Sequence, residues 1–111
     1  MNITTIKNLC TDETIEVTQH ILLRFQQRNI SYTEIKQAIL SGEIIEEYPN
    51  DYPYPSCLIL GKTSSERILH VVTGIGENKL WLITAYIPDP TQWSDDFKKR
   101  ILFFLLFNSL Y

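Results

Sequence analysis

At 111 residues with a formal net charge of −3, the chain is long enough for one domain with its own hydrophobic core. Hydrophobic residues make up 44% of it, against four glycines and five prolines, which excludes an extended disordered protein. The negative charge excludes indiscriminate coating of nucleic acid, because that affinity grows with the number of phosphates neutralised. The charge is uneven, however: residues 1–61 carry four basic and eight acidic residues, whereas residues 62–111 carry six and five. A local basic surface is compatible with this distribution.

The two cysteines give no signal for a metal site or a disulfide. Cys10 and Cys57 lie far apart, and neither has a histidine at ligand-like spacing. No secretion signal precedes them, so we expect reduced thiols in a cytoplasmic protein without metal or cofactor. We expect a single domain made of an N-terminal segment (1–14), a core (15–100) and an apolar tail (101–111).

Short elements are predicted at the start of the chain. A helix is predicted around Ile3 to Leu9, and Ile15 to Val17 alternates like a short strand. Thr18 is a suitable N-cap for a helix from Gln19 to Arg28, because its hydroxyl can accept from an amide of the first turn. Asn29 tolerates the left-handed conformation that ends many helices.

The helix that begins at Gln19 has a basic face beside its apolar face. At 100° per residue, four polar side chains share one arc: His20, Arg24, Gln27 and Arg28. In one interpretation this arc is solvated and the arginine stems cover apolar surface. In the other, the guanidinium groups bind phosphate through paired hydrogen bonds. The sequence leaves both interpretations open.

A second helix and four strands follow. Ser31 and Glu34 form a capping box, and Gly42 suits the end of the helix that begins there. Alternating or apolar runs then predict four strands: Glu43 to Tyr48, Ser56 to Gly61, Arg67 to Thr73 and Leu80 to Tyr86. This order predicts an α+β, RelE-like domain with two N-terminal helices, a four-stranded antiparallel meander sheet and a C-terminal helix.

The last strand is predicted to be central in the sheet. Period-two geometry leaves Trp81, Ile83 and Ala85 in the core and places four residues on the other face: Leu80, Leu82, Thr84 and Tyr86. A hairpin loop over Gly74 to Asn78 would place His70 opposite Leu82 to Thr84. The strand is thus expected to lead from the core towards a candidate site.

The C-terminal part combines a helix signal with an apolar run. Trp93 to Asp96 is typical of a helix start, because carboxylates in a first turn interact favourably with the macrodipole. The run from Ile101 to Phe107 is far too short to span a bilayer, and we expect no membrane partner. This run either docks on the sheet or forms a self-association surface, which would make a homodimer through the apolar tail.

Ordered matches to one family run through most of the chain, over roughly residues 15–100. They lie at Thr18 to His20 with Arg24 and Arg28, Ile30–Ser31, Gly42 to Pro49, Pro55 to Gly61, Leu69 to Val72, Ile83 to Asp89, Trp93 and Arg100. Through these segments the sequence resembles a family of small bacterial proteins known as domain of unknown function 4258. The resemblance implies a compact α+β domain related to the RelE-like and BrnT-like toxins of the barnase, colicin and RelE ribonuclease group. Family members tend to stop near Arg100, so the apolar tail departs from the pattern.

The resemblance implies a metal-independent endoribonuclease, the toxin of a pair whose antitoxin carries a zinc finger. Cleavage through the 2′-hydroxyl of RNA needs a base, an acid and positive charge for the phosphorane. The candidate catalytic residues are His20, Arg24, His70 and Tyr86, and the candidate RNA-binding residues are Arg28, Arg67, Thr84 and Arg100. His20 lies in a first helical turn, where the dipole favours the neutral imidazole that a base requires.

A different class of function stays open beside the enzyme. His70, flanked by Ile68 and Val72, also fits a core histidine whose nitrogens are bonded internally. The chain would then be a non-catalytic protein- or RNA-binding regulatory module with the same fold, since fold does not determine function. A shared cleft for the four candidate catalytic residues would favour the enzyme, whereas dispersed or fully buried positions would count against it.

Overall fold

The structure, a computed structural model, describes residues 1–101. Within that range the chain forms three helices and five strands. The helices are α1 (Ile3–Asn8), α2 (Gln19–Gln27) and α3 (Tyr32–Ser41), and the strands are β1 (Ile15–Glu16), β2 (Glu43–Tyr48), β3 (Ser56–Lys62), β4 (Ile68–Gly76) and β5 (Lys79–Tyr86). The short helix and the short strand predicted before Thr18 are both present.

The strands form one mixed sheet in the order β1-β5-β4-β3-β2. Neighbours from β2 to β5 are antiparallel, but β1 pairs in parallel with β5 through Ile15↔Leu80 and Glu16↔Trp81. The prediction of a four-stranded antiparallel meander is therefore wrong, because the sheet has a fifth strand and one parallel pair. Two alternating residues identify a strand but not its partner, and a parallel partner lies across a long connection.

Side chains at the helix starts explain where α2 and α3 begin. Thr18 Oγ1 accepts from the Ile21 amide at 3.1 Å, as expected of an N-cap. At α3, Ser31 Oγ accepts from the Glu34 amide at 3.1 Å, and Glu34 Oε1 accepts from the Ser31 amide at 3.0 Å. The predicted capping box is thereby confirmed.

One face of the sheet is covered by helices. α3 packs against β3 and β4, and α2 packs against β5. Phe25, Ile35 and Ile39 are buried from the helix side, and Ile59 and Val71 are buried from the sheet. Each such side chain contributes about 1.5–3 kcal/mol by leaving water, and this burial holds α2 along the outer part of β5.

Gly61 in β3 allows α3 to approach the sheet closely. A Cβ at this position would overlap the Ala38 carbonyl oxygen and lie 2.8 Å from Ala38 Cα. Any side chain here would push the helix away, so the absence of a side chain sets the distance between the two layers.

A two-residue turn joins β4 to β5. Glu77 and Asn78 have φ angles of 56° and 59°, the pair of left-handed residues found in a type I′ hairpin. Further along the ladder, His70 pairs with Tyr86. The predicted register, with His70 opposite Leu82 to Thr84, is therefore wrong, because the loop is shorter than the sequence suggested and an extra residue in β5 shifts the pairing by one more position.

An irregularity in the ladder changes which residues of β5 share a face. Val72 and Thr73 are consecutive in β4, but they pair with Thr84 and Leu82, which are two positions apart in β5. Ile83 is therefore an extra residue in the β5 strand. Leu82 and Ala85 both belong to the helix-covered core. The prediction that Leu82 shares a face with Thr84 and Tyr86 is therefore wrong, since one extra residue reverses the alternation beyond it. The prediction that Trp81 and Ile83 lie in the core is wrong as well, because neither belongs to the buried cluster and Ile83 is 40% exposed.

Residues 88–101, called the C-terminal strap below, contain no helix. An isolated antiparallel bridge between Trp93 and Arg100 closes them into a turn. Within the turn, Asp96 accepts from one backbone amide and Ser94 from another, which favours a turn over a helix. The C-terminal helix predicted to start at Trp93 is therefore not found in this part of the chain.

The predicted apolar tail comprises residues 101–111, and all of these except Ile101 lie outside the described residues. The predictions for this tail are that it docks on the sheet or that it forms a homodimer. Among residues 1–101, no helix is both long and apolar enough to cross a membrane.

Candidate functional site

A cleft of about 240 Å³ lies between α2 and the C-terminal half of β5, which contributes Ile83 and Thr84. Its lining residues are His20, Ile21, Arg24, Phe25, Arg28, Ile83 and Thr84. Three of the polar side chains come from one face of α2, as the helical wheel predicts. Half of the candidate site residues therefore meet in this cleft, which is called the cationic cleft below.

The basic side chains of the cleft form a row along α2. His20, Arg24 and Arg28 follow one another at intervals of four residues, so each lies about one turn beyond the last. All three are exposed. None of the ion pairs within residues 1–101 involves them, so no paired carboxylate cancels the charge of the two arginines. Such a row attracts anions.

Arg28 connects α2 to the outer edge of β5. Its Nη1 donates to Thr84 Oγ1 at 3.0 Å and to the Ala85 carbonyl at 2.8 Å. In the described chain β1 pairs with β5 only at Leu80 and Trp81, so β1 has ended before Thr84 and Ala85. Arg28 supplies hydrogen-bond donors to this part of β5, where a neighbouring strand would otherwise do so. Both bonds use one nitrogen of a group that has five donors. Arg28 can therefore be held in place and still bind an anion.

His70 does not line the cleft, because it is completely buried beneath the C-terminal strap. Its Nε2 lies 2.8 Å from the Phe97 carbonyl oxygen, and its Nδ1 lies 3.2 Å from the Tyr86 hydroxyl. A carbonyl only accepts, so Nε2 carries the proton and Nδ1 accepts from Tyr86. Burial lowers the pKa of His70, in agreement with this neutral form. His70 and Tyr86 therefore do not lie in one cleft with His20 and Arg24.

An aromatic contact and an ion pair hold the strap in place. Trp93 meets His70 edge-on, with ring centroids 4.4 Å apart. Arg100 lies 4.8 Å from the Trp93 ring centroid and donates twice to Glu46, at 2.9 and 3.2 Å. Burial by itself raises the pKa of Glu46, but hydrogen bonds from Arg100 and Tyr48 lower it overall. Arg100 is thus engaged in fixing the strap to β2.

Arg67 lies apart from the cationic cleft and from the residues beneath the C-terminal strap, just before β4. Its Nη1 donates to the Asn29 carbonyl at 3.0 Å and to Glu34 Oε2 at 2.7 Å. These bonds tie β4 to the connection between α2 and α3. Of the predicted RNA-binding residues, Arg28 and Thr84 line the cationic cleft, whereas Arg67 is bound elsewhere.

Sequence reasoning missed an aromatic groove beside the cleft. The groove has a volume of about 270 Å³, and Tyr52, Tyr54 and Trp81 contribute its aromatic rings. It shares Ile21 and Ile83 with the cationic cleft. The signal in the sequence was the pair of tyrosines around Pro53, which composition identifies only as a turn.

The other features of the described residues offer weaker chemistry. A cleft of about 360 Å³ has mixed charges, with Lys62 and Lys98 beside Glu43 and Asp96, and Lys98 pairs with Glu43 at 2.8 Å. No group of three His, Cys, Asp or Glu side chains in residues 1–101 could hold a metal ion. Both cysteines are buried free thiols. Compared with these features, the cationic cleft offers the best combination of exposed side chains, positive charge and a histidine.

We expect the protein to lose stability at mildly acidic pH because of His70. Burial lowers the pKa of His70 in the folded state, whereas the unfolded chain restores the ordinary value near 6.5. As the pH falls below about 6.5, the unfolded state binds more protons than the folded state, so stability decreases by at most about 1.4 kcal/mol per pH unit. Above that value the contribution is fully present.

Urea unfolding at about pH 7.5 and about pH 5.5 measures this effect in the wild type and in His70→Gln. The variant is expected to be less stable at the higher pH, because the bonds to Tyr86 and Phe97 are disturbed. It should, however, lose less stability than the wild type between the two conditions. Equal losses in the two proteins would contradict the role assigned to His70.

The cationic cleft lies within a region that matches a known family model. The model, described as Domain of unknown function (DUF4258), matches residues 17–87. The matched region contains every residue of the cleft and of the aromatic groove except Glu16, and it ends just before the C-terminal strap. No curated protein and no solved structure matches the chain.

Proposed function

The chain belongs to the family described as a domain of unknown function (DUF4258), and from its cationic cleft we propose that it is a metal-independent endoribonuclease. We propose further that it is the toxin of a toxin–antitoxin pair, of the RelE-like and BrnT-like kind. The observation that carries the proposal is the row of His20, Arg24 and Arg28 in one cleft with Thr84. These groups combine proton transfer with positive charge, which RNA cleavage requires.

The proposed reaction is an internal transesterification of RNA. The 2′-oxygen bonds to the adjacent phosphorus while the bond from phosphorus to the 5′-oxygen breaks. The products are a 2′,3′-cyclic phosphate and a 5′-hydroxyl. His20 takes the proton from the 2′-hydroxyl and delivers it to the departing 5′-oxygen, so one residue acts first as base and then as acid.

The two arginines of the cleft would stabilise the phosphorane. Negative charge develops on its non-bridging oxygens, to which a guanidinium group presents paired donors. Arg28 is already held by Thr84 and Ala85, so it needs little reorganisation when charge develops. Arg24 lies between His20 and Arg28 in the row, and we assign it the closest contact with the phosphate.

The remaining candidate residues have supporting roles in this proposal. His70 and Tyr86 bond to each other beneath the strap, and Arg100 fixes the strap through Glu46. Arg67 secures the connection between α2 and α3. No step of the reaction passes through these four residues.

The test is cleavage of single-stranded RNA by the purified protein, free of any antitoxin, in the presence of a chelator. We expect fragments that end in a 2′,3′-cyclic phosphate, and cleavage about 100-fold slower with Arg24→Gln. Lys62→Gln removes the same charge from an exposed position on β3 and should retain activity. Cleavage that is equally fast with Arg24→Gln would indicate a contaminating nuclease and overturn the proposal.

A second candidate is a non-catalytic protein- or RNA-binding regulatory module that uses the same surface. The burial of His70 favours it, because His20 is then the only one of the two histidines that lines the cleft. The partner in that case would be RNA or a cognate zinc-finger antitoxin. Tight binding of RNA without cleavage, under conditions where the protein is folded, would favour this candidate over the enzyme.

A further inference from the structure

We propose that the aromatic groove is a subsite in which one base of single-stranded RNA stacks. This inference rests on the proposed function and adds the substrate class to it. A phosphate of the strand occupies the cationic cleft, and a neighbouring base enters the groove. Bases within a duplex are already paired and stacked, so only an unpaired strand can offer a base in this way.

Three aromatic rings give the groove its shape. Tyr54 and Trp81 stack with their ring centroids 5.4 Å apart and an interplanar angle of 28°. Tyr52 is 92% exposed, and Ile83, which also lines the groove, is 40% exposed. Large apolar groups exposed next to one another are typical of a binding surface. A stacked base would cover them.

Backbone contacts hold two of the rings in place. Trp81 Nε1 donates to the Gly76 carbonyl at 3.0 Å. The Tyr54 ring lies so close to Gly76 that a Cβ there would overlap three of its ring carbons. The rings of Tyr54 and Trp81 are therefore positioned before a ligand arrives, which reduces the entropy lost on binding.

The groove and the cationic cleft are parts of one surface. They share Ile21 and Ile83, so a strand that lies in the cleft can pass directly into the groove. The carboxylate that lines the groove belongs to Glu16, and it is paired with Lys79 at 2.7 Å. This pairing reduces its repulsion of a nearby phosphate.

The combination of rings and charge favours RNA over a protein partner. Aromatic rings beside a cationic groove are what proteins that bind single strands use, the rings for bases and the cations for phosphates. An apolar peptide would cover the rings but leave Arg24 and Arg28 without a counter-charge. A nucleotide satisfies both parts of the surface at once.

The test measures the affinity of the full chain for a fluorescent 2′-O-methyl oligonucleotide, which has no 2′-hydroxyl to react. Tyr52→Ala is expected to weaken binding of the single strand about 5- to 150-fold, the range for one stacked base. Tyr52→Phe keeps the ring and should bind as the wild type does. Leu40→Ala truncates a half-exposed apolar side chain on α3 and serves as the matched control. Hybridising the oligonucleotide to its complement should remove the difference between Tyr52→Ala and the wild type.

Arg24→Gln separates failure of this inference from failure of the proposed function. If Tyr52→Ala binds the single strand normally while Arg24→Gln binds it weakly, stacking is refuted and the cleft remains the RNA site. If the wild type binds no RNA, both proposals fail. If Tyr52→Ala weakens only the binding of a protein partner, the groove is a protein-docking surface and stacking is again refuted.

Discussion

His20→Asn is expected to slow RNA cleavage by a factor of about 10² to 10⁴. In the proposed reaction His20 carries the proton from the 2′-oxygen to the 5′-oxygen, and an asparagine cannot exchange a proton in this way. His20 is exposed in the first turn of α2, so the substitution leaves the core intact. The loss should therefore be in kcat, whereas affinity for the uncleavable oligonucleotide should stay close to that of the wild type.

Chemical rescue provides the control for this variant. His20→Ala removes the imidazole from an exposed position, which added imidazole can reach from solvent. We expect imidazole to raise the cleavage rate of His20→Ala but not that of Arg24→Gln, because only the first lacks a proton carrier. Wild-type cleavage by His20→Asn on the same RNA would exclude His20 from the reaction.

Gly61→Ala is expected to destabilise the fold by roughly 3 kcal/mol, which lowers the Tm by about 10–20 °C. A Cβ at this position would lie 2.5 Å from the Ala38 carbonyl carbon and would overlap the carbonyl oxygen. These atoms belong to the backbone of α3, so no side-chain rotation can relieve the clash. α3 would have to move, and with it the core residues Ile35 and Ile39. Thermal unfolding followed by circular dichroism measures the shift.

Gly74→Ala is the matched control in the neighbouring strand β4. The closest atoms to a Cβ there would be the Pro55 carbonyl oxygen at 3.3 Å and Ile83 Cδ1 at 3.6 Å. Small shifts can accommodate these distances, and alanine suits a strand better than glycine, so we expect a change within about 1 kcal/mol. Equal destabilisation by the two substitutions would show that the close approach of α3 does not depend on Gly61.

The helices could be predicted because their determinants are adjacent in the sequence. Thr18 and Ser31 each accept from an amide three residues further on, so short segments contain the whole interaction. The row of basic side chains on α2 could be predicted for the same reason, because all of its residues lie on one helix. A spacing of four residues places His20, Arg24 and Arg28 along one side of any regular helix.

The sheet was harder to predict because its pairings are not local. β1 has two residues, and nothing in them indicates that the partner is β5. The turn at Glu77 and Asn78 lacks the Asn-Gly or Asp-Gly pair that usually marks a type I′ hairpin. The extra residue at Ile83 has no sequence signal, yet it determines the face on which every later side chain of β5 lies.

The same contrast between local and non-local interactions explains why only half of the candidate site residues meet in the cleft. The half that comes from α2 follows from helix geometry, and its residues lie together in the cleft. The position of His70 depends on what covers its strand, and the cover comes from Trp93 and Phe97 in the C-terminal strap. Strand alternation could indicate the face of His70 but not the burial of that face.

The bond from Arg28 to Ala85 also affects what can assemble on the edge of the sheet. An edge strand invites a strand from another chain, because its backbone groups can continue the ladder. A strand added beside this part of β5 would compete for the Ala85 carbonyl that Arg28 occupies, and would remove one of the two bonds that hold the arginine in the cleft. Extension of the sheet at this edge would therefore disturb the cleft. A protein that bound by strand addition at this edge would change the cleft without entering it.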